Sequence, residues 1–222
     1  SDAYQAEVGL LSRRIIIEGD AANSEPSDTT PRTCFMYSDA LGAYDTVPCA
    51  HTHLTGFGGH VLIDGPDATG HIAGVELRRM GQTNRHGRYP IHFHLMGNAS
   101  ISSATNMFAD AAGANGATRA LVSDSSIHRS YYRCVAIHGT HAALVTQNVA
   151  YDAIGHCYYL EDGVEEDNTI SFNLAAHVHV IGAPATSSSQ TCGHVYSHSD
   201  LALPADVAAS GFYVTNAYNS FV

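Results

Sequence analysis

The chain has 222 residues, of which 45% are hydrophobic and only 14% are charged, and its formal net charge is −11 at pH 7. That length and apolar content suffice for one domain with a buried core. The negative charge excludes a protein that holds nucleic acid or another polyanion by bulk electrostatics, so an acidic ligand would need individual arginines or a metal ion. No stretch approaches the ~20 consecutive apolar residues that cross a bilayer.

The first half of the chain predicts short strands separated by polar loops. Residues 7–18 indicate one bent strand or two short ones, and the polar residues 20–33 indicate a loop. Residues 52–64 combine glycines with alternating apolar side chains, which predicts a strand entered through a tight turn. Further strands are predicted at 72–77 and 90–95.

A long excursion from these strands is predicted at residues 98–119, which are rich in Ala, Ser, Asn and Gly. A loop of that length inside a compact fold is usually functional. Asn98 also begins an Asn-Ala-Ser glycosylation sequon, a weak signal that favours an extracellular setting. Strand-like runs close to both ends of the sequence lead us to expect a piece of a longer repeating fold.

Short apolar strands recur regularly from residue 121 onward. Arg133-Cys-Val-Ala-Ile-His138 superposes on His156-Cys-Tyr-Tyr-Leu-Glu161 with an offset of 23 residues, and Tyr89-Pro-Ile-His-Phe-His94 follows the same pattern. A unit of about this size with one short strand cannot bury its apolar face alone, so stacked coils are implied. The sequence therefore predicts an all-β parallel β-helix as a single domain over 1–222, with its strongest repeats at 71–182. A β-sandwich is the alternative.

Asparagine recurs at the turns between the predicted strands. Asn148-Val-Ala-Tyr-Asp and Asn168-Thr-Ile-Ser-Phe-Asn echo each other about one coil apart. Asn side chains readily bond to nearby backbone groups in turns. A hydrogen-bond ladder between coils therefore explains this pattern better than a binding site does.

The five cysteines include two neighbouring sets, whose disulfide state the sequence leaves open, and one further residue. Cys34 and Cys49 flank a polar loop that a disulfide would close. Cys134 and Cys157 take equivalent places in adjacent coils, at a strand spacing of roughly 4.8 Å that a disulfide also tolerates, but we expect stacked free thiols there. Cys192 is left over. Cysteines in these positions, together with the sequon, favour a secreted or luminal protein.

Strand alternation predicts what the outer face of these coils displays. Side chains at i and i+2 share a face of a strand, so apolar residues pointing inward leave histidines and a carboxylate outside. The predicted columns, from coil to coil, are His94–His138–Glu161 and His92–Ala136–Tyr159. Two imidazoles and one carboxylate with an open position suit a catalytic divalent ion such as Zn²⁺ or Ca²⁺. A metal-free polar or glycan-binding face is the alternative, because the chain contains 15 histidines.

An acidic run follows the second of these strands. Glu161 and Asp162 are candidates for general acid and base, with His138 as the third candidate catalytic residue. Glycoside hydrolysis usually uses two carboxylates, whereas elimination from a uronate needs a base and a neutralising charge. Residues 165–167, Glu-Glu-Asp, are expected to form a solvated turn.

Arginines precede the strand at 90–95 and are candidates for holding a uronic acid. Arg79, Arg85 and Arg88 would each bind a carboxylate through two parallel hydrogen bonds, although ordinary surface charge explains them as well. His92 and Tyr159 complete the candidate glycan-binding set, since both are predicted on the outer face and Tyr159 offers a ring for stacking on a sugar.

Seven motifs in order resemble a known family. They are Glu7-Val-Gly-Leu-Leu-Ser-Arg13, Phe57-Gly-Gly-His60, Val75-Glu-Leu-Arg-Arg-Met-Gly-Gln82, Gly87-Arg-Tyr-Pro-Ile-His-Phe-His-Leu95, Ser126-Ile-His-Arg129, Arg133-Cys-Val-Ala-Ile-His-Gly139 and Gly155-His-Cys-Tyr-Tyr-Leu-Glu-Asp-Gly163. Together they resemble the family of the cell migration-inducing hyaluronan-binding protein and transmembrane protein 2, whose architecture the fibrocystin-like proteins share. The likeness covers most of 6–182 and only loosely the end, 183–222.

This resemblance implies a right-handed parallel β-helix of the pectate-lyase type in an extracellular or cell-surface protein with further domains. Its first branch implies binding and depolymerisation of hyaluronan. The fibrocystin-like branch implies no known catalysis, so two functions stay open. One is an acidic-polysaccharide-binding and depolymerising domain, either glycosidase or lyase, and the other is a non-catalytic structural or adhesion module.

Overall fold

The computed structural model describes residues 8–24, 32–38, 43–49, 56–83, 85–101, 117–179 and 209–222. Three five-stranded sheets surround one core, and neighbouring strands within them run parallel. Successive segments of the chain visit the three sheets in turn, so the predicted parallel β-helix is confirmed. Among the described residues, no helix has the length and apolar character needed to cross a membrane.

The strands are short and are numbered along the chain together with one helical turn. In chain order the elements are β1 (Ile15–Glu18), α1 (Ala21–Ser24), β2 (Arg32–Ser38), β3 (Ala43–Cys49), β4 (Val61–Asp64), β5 (Gly70–Ala73), β6 (Val75–Arg78), β7 (Ile91–Asn98), β8 (Ser100–Ile101), β9 (Ala117–Thr118), β10 (Ala120–Ser123), β11 (Ser126–Ser130), β12 (Val135–His141), β13 (Leu144–Thr146), β14 (Val149–Ile154), β15 (Tyr158–Leu160), β16 (Thr169–Ser171), β17 (Leu174–His179), β18 (Phe212–Tyr213) and β19 (Ser220–Phe221). Sheet A contains β4, β7, β12, β15 and β18, sheet B contains β5, β10, β13, β16 and β19, and sheet C contains β1, β6, β11, β14 and β17.

The core consists of columns of apolar side chains that repeat from coil to coil. Two columns of sheet A are Ile91–Val135–Tyr158 and Phe93–Ile137–Leu160. These six side chains are at most 2% exposed, and burying one such side chain stabilises the fold by about 1.5–3 kcal/mol. The inward set predicted from strand alternation is therefore confirmed.

One residue in the left-handed conformation turns the chain from sheet B to sheet C in each of four coils. This position holds Gly74, Asp124, Gln147 and Phe172, with φ angles of 67°, 50°, 57° and 54°. The amide of each donates to a carbonyl of the next coil, so the ladder of hydrogen bonds continues around the corner. The corner at Gly74 also divides the apolar run at 72–77, predicted as one strand, between β5 and β6.

The predicted asparagine ladder is confirmed, but it consists of two ladders at two different corners. Asn148 donates to Asn173 Oδ1 at 2.9 Å after sheet B, and Asn168 donates to Asn219 Oδ1 at 2.9 Å before sheet B. Both asparagines also satisfy backbone groups of a neighbouring coil and are fully buried. The similar runs that begin at Asn148 and Asn168 therefore mark separate corners.

Two antiparallel pairs depart from the coils. β2 pairs with β3, a hairpin that the sequence patterns do not predict, and β8 pairs with β9. The second pair forms the base of the excursion predicted at 98–119, of which 102–116 lie outside the described residues. Within residues 8–18, only Ile15–Glu18 of the predicted strand region is a strand.

Cys134 and Cys157 form a disulfide, so the expectation of stacked free thiols is wrong. Their Cα atoms are 4.5 Å apart, within the range that a disulfide tolerates, because each cysteine immediately precedes one of the two paired strands β12 and β15. Both cysteines are fully buried. Cys34 and Cys49 lie on β2 and β3, where only the backbone is described, and Cys192 lies outside the described residues.

Removing the disulfide is expected to destabilise the domain. The double variant Cys134→Ala/Cys157→Ala should unfold with a free energy about 3 kcal/mol lower than that of the unchanged chain, because the unfolded chain regains the entropy of the opened loop. Urea titration followed by circular dichroism measures this difference. With dithiothreitol present, the difference should largely vanish, whereas equal stability of the two proteins without reductant would contradict the disulfide.

Candidate functional site

The outer face of sheet A carries the predicted column of histidines and a carboxylate. His94 pairs with His138 across β7 and β12, and Asp64 pairs with His94 across β4 and β7. Glu161 directly follows β15, which pairs in register with β12, so Glu161 lies one coil away from His138. The predicted register of the column is thereby confirmed, and Asp64 extends it by one coil.

Glu161 is the centre of this cluster, and its side chain is only 3% exposed. Its Oε1 accepts hydrogen bonds from the Tyr89 hydroxyl at 3.0 Å and from His86 Nε2 at 2.9 Å. Its Oε2 lies 3.5 Å from His92 Nε2 and 3.8 Å from His138 Nδ1. Burial alone would raise the pKa of Glu161, but the hydrogen bond from His86 and the positive potential of His86 and His92 outweigh burial and hold the pKa well below its usual range. The carboxylate is therefore ionised.

The two histidines beside Glu161 are each oriented by an acceptor on the far side of the ring. His92 Nδ1 lies 3.2 Å from the carbonyl oxygen of Gly87, and His138 Nε2 lies 2.7 Å from Asp162 Oδ2. His92 points away from the core of the β-helix but is only 2% exposed, because Gly87 and Tyr89 of the connection between β6 and β7 lie against it. Both rings are consequently fixed with one nitrogen directed at Glu161.

His94 contacts the rings of His92 and His138 edge-on, with centroids 5.1 and 4.8 Å away, but its ring nitrogens do not join this group. Its Nδ1 is paired with Asp64 Oδ1 at 2.6 Å, whereas the donor atoms that lie within 4.8 Å of one another belong to His92, His138 and Glu161. The predicted ligand set of His94, His138 and Glu161 therefore shares two members with the cluster. His92, predicted as a glycan contact, takes the third place and has almost no surface to offer a glycan.

The segment 81–90 between β6 and β7, which the structure describes at 81–83 and 85–90, places His86 and Tyr89 over the cluster. Gly81 and Gly87 adopt φ angles of 84° and 76°, which glycine reaches without steric cost. The Thr83 hydroxyl donates to a backbone carbonyl of the following coil at 2.8 Å and anchors the segment there. A turn of backbone hydrogen bonds then presents His86 at the surface.

His86 is the exposed member of the cluster, and sequence reasoning missed it. Its side chain is 53% exposed. The hydrogen bond to Glu161 raises the pKa of His86, and partial burial opposes this only in part. Strand alternation cannot place a residue that lies in a connecting segment, so the one available signal was its position between Arg85 and Arg88.

The three candidate arginines have different surroundings. Arg79 is only 9% exposed and its guanidinium binds Glu18 and the carbonyl of Gly19, so the structure does not bring it to the predicted glycan surface. Arg85 and Arg88 are exposed on the segment that carries His86. Arg85 lies over the ring of Phe57 at 5.2 Å and Arg88 donates to His60 Nε2 at 2.8 Å.

Tyr159 lies on the outer face as predicted and belongs to an aromatic strip formed by Tyr159, His156 and Tyr213. The ring centroids of Tyr159 and Tyr213 are 5.2 Å apart, and those of His156 and Tyr213 are 4.2 Å apart. The guanidinium of Arg133 lies 3.4 Å from the centroid of the Tyr159 ring. Tyr213 is 38% exposed, and it was not predicted because its segment lacks the repeat seen earlier in the chain.

Glu165 corrects the expectation of a solvated turn at 165–167. Its side chain is fully buried and accepts hydrogen bonds from the amides of Gly139, Asp162 and Gly163 at 3.0, 3.1 and 2.9 Å. Only the following two residues, Glu166 and Asp167, are exposed. Glu165 therefore fixes the backbone that carries Asp162.

Replacing Glu165 is expected to loosen this backbone and destabilise the domain. Glu165→Ala leaves three partly buried amides without their acceptor, which should lower the free energy of unfolding by roughly 2–4 kcal/mol. Glu166→Ala, one residue further on and exposed, is the matched control and should change it by less than about 0.5 kcal/mol. Chemical denaturation measures both variants, and equal effects would show that Glu165 is not the buried acceptor.

The fold places this chain in the class of parallel β-helix proteins, and one outer face of the β-helix carries a cluster of histidines around a carboxylate. Its sequence matches the CEMIP beta-helix family over residues 56–222, so the chain belongs to that family. The predicted resemblance to the cell migration-inducing hyaluronan-binding protein family is thus confirmed.

Curated relatives are similar to this chain over much or all of its length. The chain is 45% identical to a G8 domain-containing protein of Dictyostelium discoideum over 219 residues, which is 99% of this chain and 12% of that protein. It is 37% identical to the human cell surface hyaluronidase CEMIP2 and 35% identical to the cell surface hyaluronidase of Danio rerio, in each case over 170 residues, 77% of this chain and 10% of the relative. The chain therefore spans a small part of the relatives it matches.

Proposed function

We propose that this domain acts outside the cell, binds an acidic polysaccharide of the hyaluronan type on the outer face of sheet A, and cleaves it beside Glu161. The observation that carries the proposal is the buried, ionised carboxylate of Glu161 beneath the exposed His86. The names of the human and Danio rerio relatives, both cell surface hyaluronidases, support the choice of polymer and of location.

Binding is assigned to the exposed cations and rings around the cluster. Arg85 and Arg88 lie on the same segment as His86 and offer planar guanidinium groups to uronate carboxylates. The overall charge of −11 disfavours a polyanion elsewhere on the surface, so these local cations select where it sits. Tyr213, the exposed ring of the aromatic strip, adds an apolar face on which the C–H faces of sugars stack.

Cleavage is assigned to the accessible groups of the cluster rather than to Glu161. The Glu161 side chain is 3% exposed, whereas those of His86 and Asp162 are 53% and 51% exposed. His86, with its raised pKa, carries a proton that it can donate to the leaving oxygen, and Glu161 orients it and stabilises the imidazolium. Asp162, held by His138, is the exposed carboxylate that takes a proton from the attacking water, whose oxygen bonds to the anomeric carbon as the glycosidic bond breaks and His86 protonates the leaving oxygen.

The alternative function is a structural or adhesion module that does not cleave glycans. In this alternative the fold is the same, and the cluster around Glu161 serves only to stabilise the packing of neighbouring coils. The two functions differ in one measurable respect, which is whether polymer chains are broken.

His86→Ala is expected to lower the rate of hyaluronan cleavage by about 10²–10⁴-fold, the usual contribution of a general acid or base. His177→Ala, an exposed histidine on sheet C, is the matched control and should keep the rate of the unchanged chain. New reducing ends report cleavage, and the absorbance of an unsaturated uronate distinguishes elimination from hydrolysis. No new ends with the unchanged chain would favour the adhesion module, and equal rates with His86→Ala would remove His86 from the mechanism.

Arg85→Ala/Arg88→Ala is expected to weaken hyaluronan binding about tenfold or more, since two charge-assisted contacts are lost. Arg129→Ala removes one exposed arginine from sheet C and should leave the affinity within a factor of about two if the cations act locally. Binding to immobilised hyaluronan at several salt concentrations measures both. Equal weakening by Arg129→Ala would place binding elsewhere or make it non-specific.

A further inference from the structure

Three buried atoms capable of binding a metal converge beside Glu161. His92 Nε2, His138 Nδ1 and Glu161 Oε2 are each buried and have no hydrogen-bond partner among the described residues. Glu161 Oε2 lies 3.5 Å from the first and 3.8 Å from the second, and all three atoms lie within 4.8 Å of one another. A buried polar atom without a partner costs about 1–3 kcal/mol, so three together call for an explanation.

The outer contacts of the two histidines determine which nitrogen carries the proton. The Gly87 carbonyl can only accept, so His92 Nδ1 donates to it, and in a neutral imidazole, the form that binds metal ions, the lone pair is then on His92 Nε2. Asp162 Oδ2 lies 2.7 Å from His138 Nε2 and accepts from it, and in the same neutral form the lone pair of His138 is then on Nδ1. His92 Nε2, His138 Nδ1 and Glu161 Oε2 then face one another without partners of their own, and one cation between them would satisfy all three atoms.

We propose that His92, His138 and Glu161 bind a divalent transition-metal ion of the Zn²⁺ class. A tetrahedral zinc ion with bonds of about 2.0–2.1 Å holds its ligand atoms about 3.4 Å apart, close to the 3.5 and 3.8 Å measured from Glu161 Oε2. A bridging water with hydrogen bonds of about 2.8 Å would hold its partners about 4.6 Å apart. Water also has two protons for three acceptors, so it satisfies this site less well.

The non-ligating atoms of the three residues are hydrogen-bonded in the way that is usual around protein metal sites. Asp162 and the Gly87 carbonyl hold the distal nitrogens of the two histidines, and His86 and Tyr89 occupy Glu161 Oε1, leaving Oε2 for the ion. Carboxylates and carbonyls behind ligating histidines are the usual arrangement, because they fix the tautomer and the ring orientation.

The chemistry of the three ligand atoms favours Zn²⁺ over Ca²⁺, the other ion expected from the sequence. Two imidazole nitrogens and one carboxylate oxygen suit Zn²⁺ and related transition metals, whereas Ca²⁺ takes about six to eight oxygen ligands. Three protein ligands leave a fourth position for water or substrate, as in catalytic rather than structural zinc sites. The site stands apart from the proposed function, because zinc binding needs no glycan.

Zinc titration of the full chain after chelator treatment tests the site. Isothermal titration calorimetry should show one Zn²⁺ bound per chain, no binding of Ca²⁺, and affinity at least 100-fold lower in His92→Ala, His138→Ala and the near-isosteric Glu161→Gln. His94→Ala is the matched control, since it removes the neighbouring outward histidine, and its zinc affinity should stay within about threefold. Near-ultraviolet circular dichroism verifies that each variant is folded.

Anomalous diffraction at the zinc edge from crystals of the unchanged chain gives a second readout that no variant can confound. A peak between the three ligand atoms supports the site. A peak elsewhere, no zinc bound at one equivalent, or a loss of affinity in His94→Ala as large as in His92→Ala would overturn it. Zinc binding without glycan cleavage upholds the metal site and refutes the proposed function, and cleavage by a chain that binds no zinc does the reverse.

Discussion

The in-register parallel pairing of β7, β12 and β15 is the constraint on which the rest of the structure depends. Buried columns such as Phe93–Ile137–Leu160 fix this pairing from inside the coil, because a slip of one residue would turn every apolar side chain of a strand outward. The same pairing sets the outer face. Side chains far apart in the sequence therefore stand one strand spacing from each other, with no need for a loop to bring them there.

The strand pairing of sheet A alone would leave its outer face exposed to water. The segment 81–90 shields part of that face from solvent. By covering His92 and Glu161 it creates a small polar interior outside the β-helix core. An ionised carboxylate that is 3% exposed is costly unless it is closely partnered, so this arrangement does not serve stability alone. Strongly perturbed ionisable groups that gather beneath an exposed partner are typical of functional sites.

The direction of side chains on the strands could be predicted from the sequence, because strand alternation determines it. The contacts made by residues in the connecting segments could not be predicted in this way. Alternation places His92 and His94 on the same outward face but cannot tell which of them joins the cluster with His138 and Glu161. Asp64 pairs with His94, and the segment 81–90 buries His92 beside Glu161, and neither contact has a periodic signal. His86 lies in that segment and has no periodic signal. Arg79 likewise binds Glu18 through a contact between distant residues, and composition alone cannot tell a buried Glu165 from a solvated one.

The disulfide between Cys134 and Cys157 has a consequence for how this domain matures. Each cysteine stands immediately before one of the two strands that lead to His138 and Glu161. Sulfur atoms in that place can join only when the two strands are correctly aligned, since a slip of one residue would turn one sulfur to the opposite face of its strand and a slip of two residues would carry the Cα atoms beyond about 7 Å. Formation of this disulfide would therefore covalently record the correct alignment of β12 and β15.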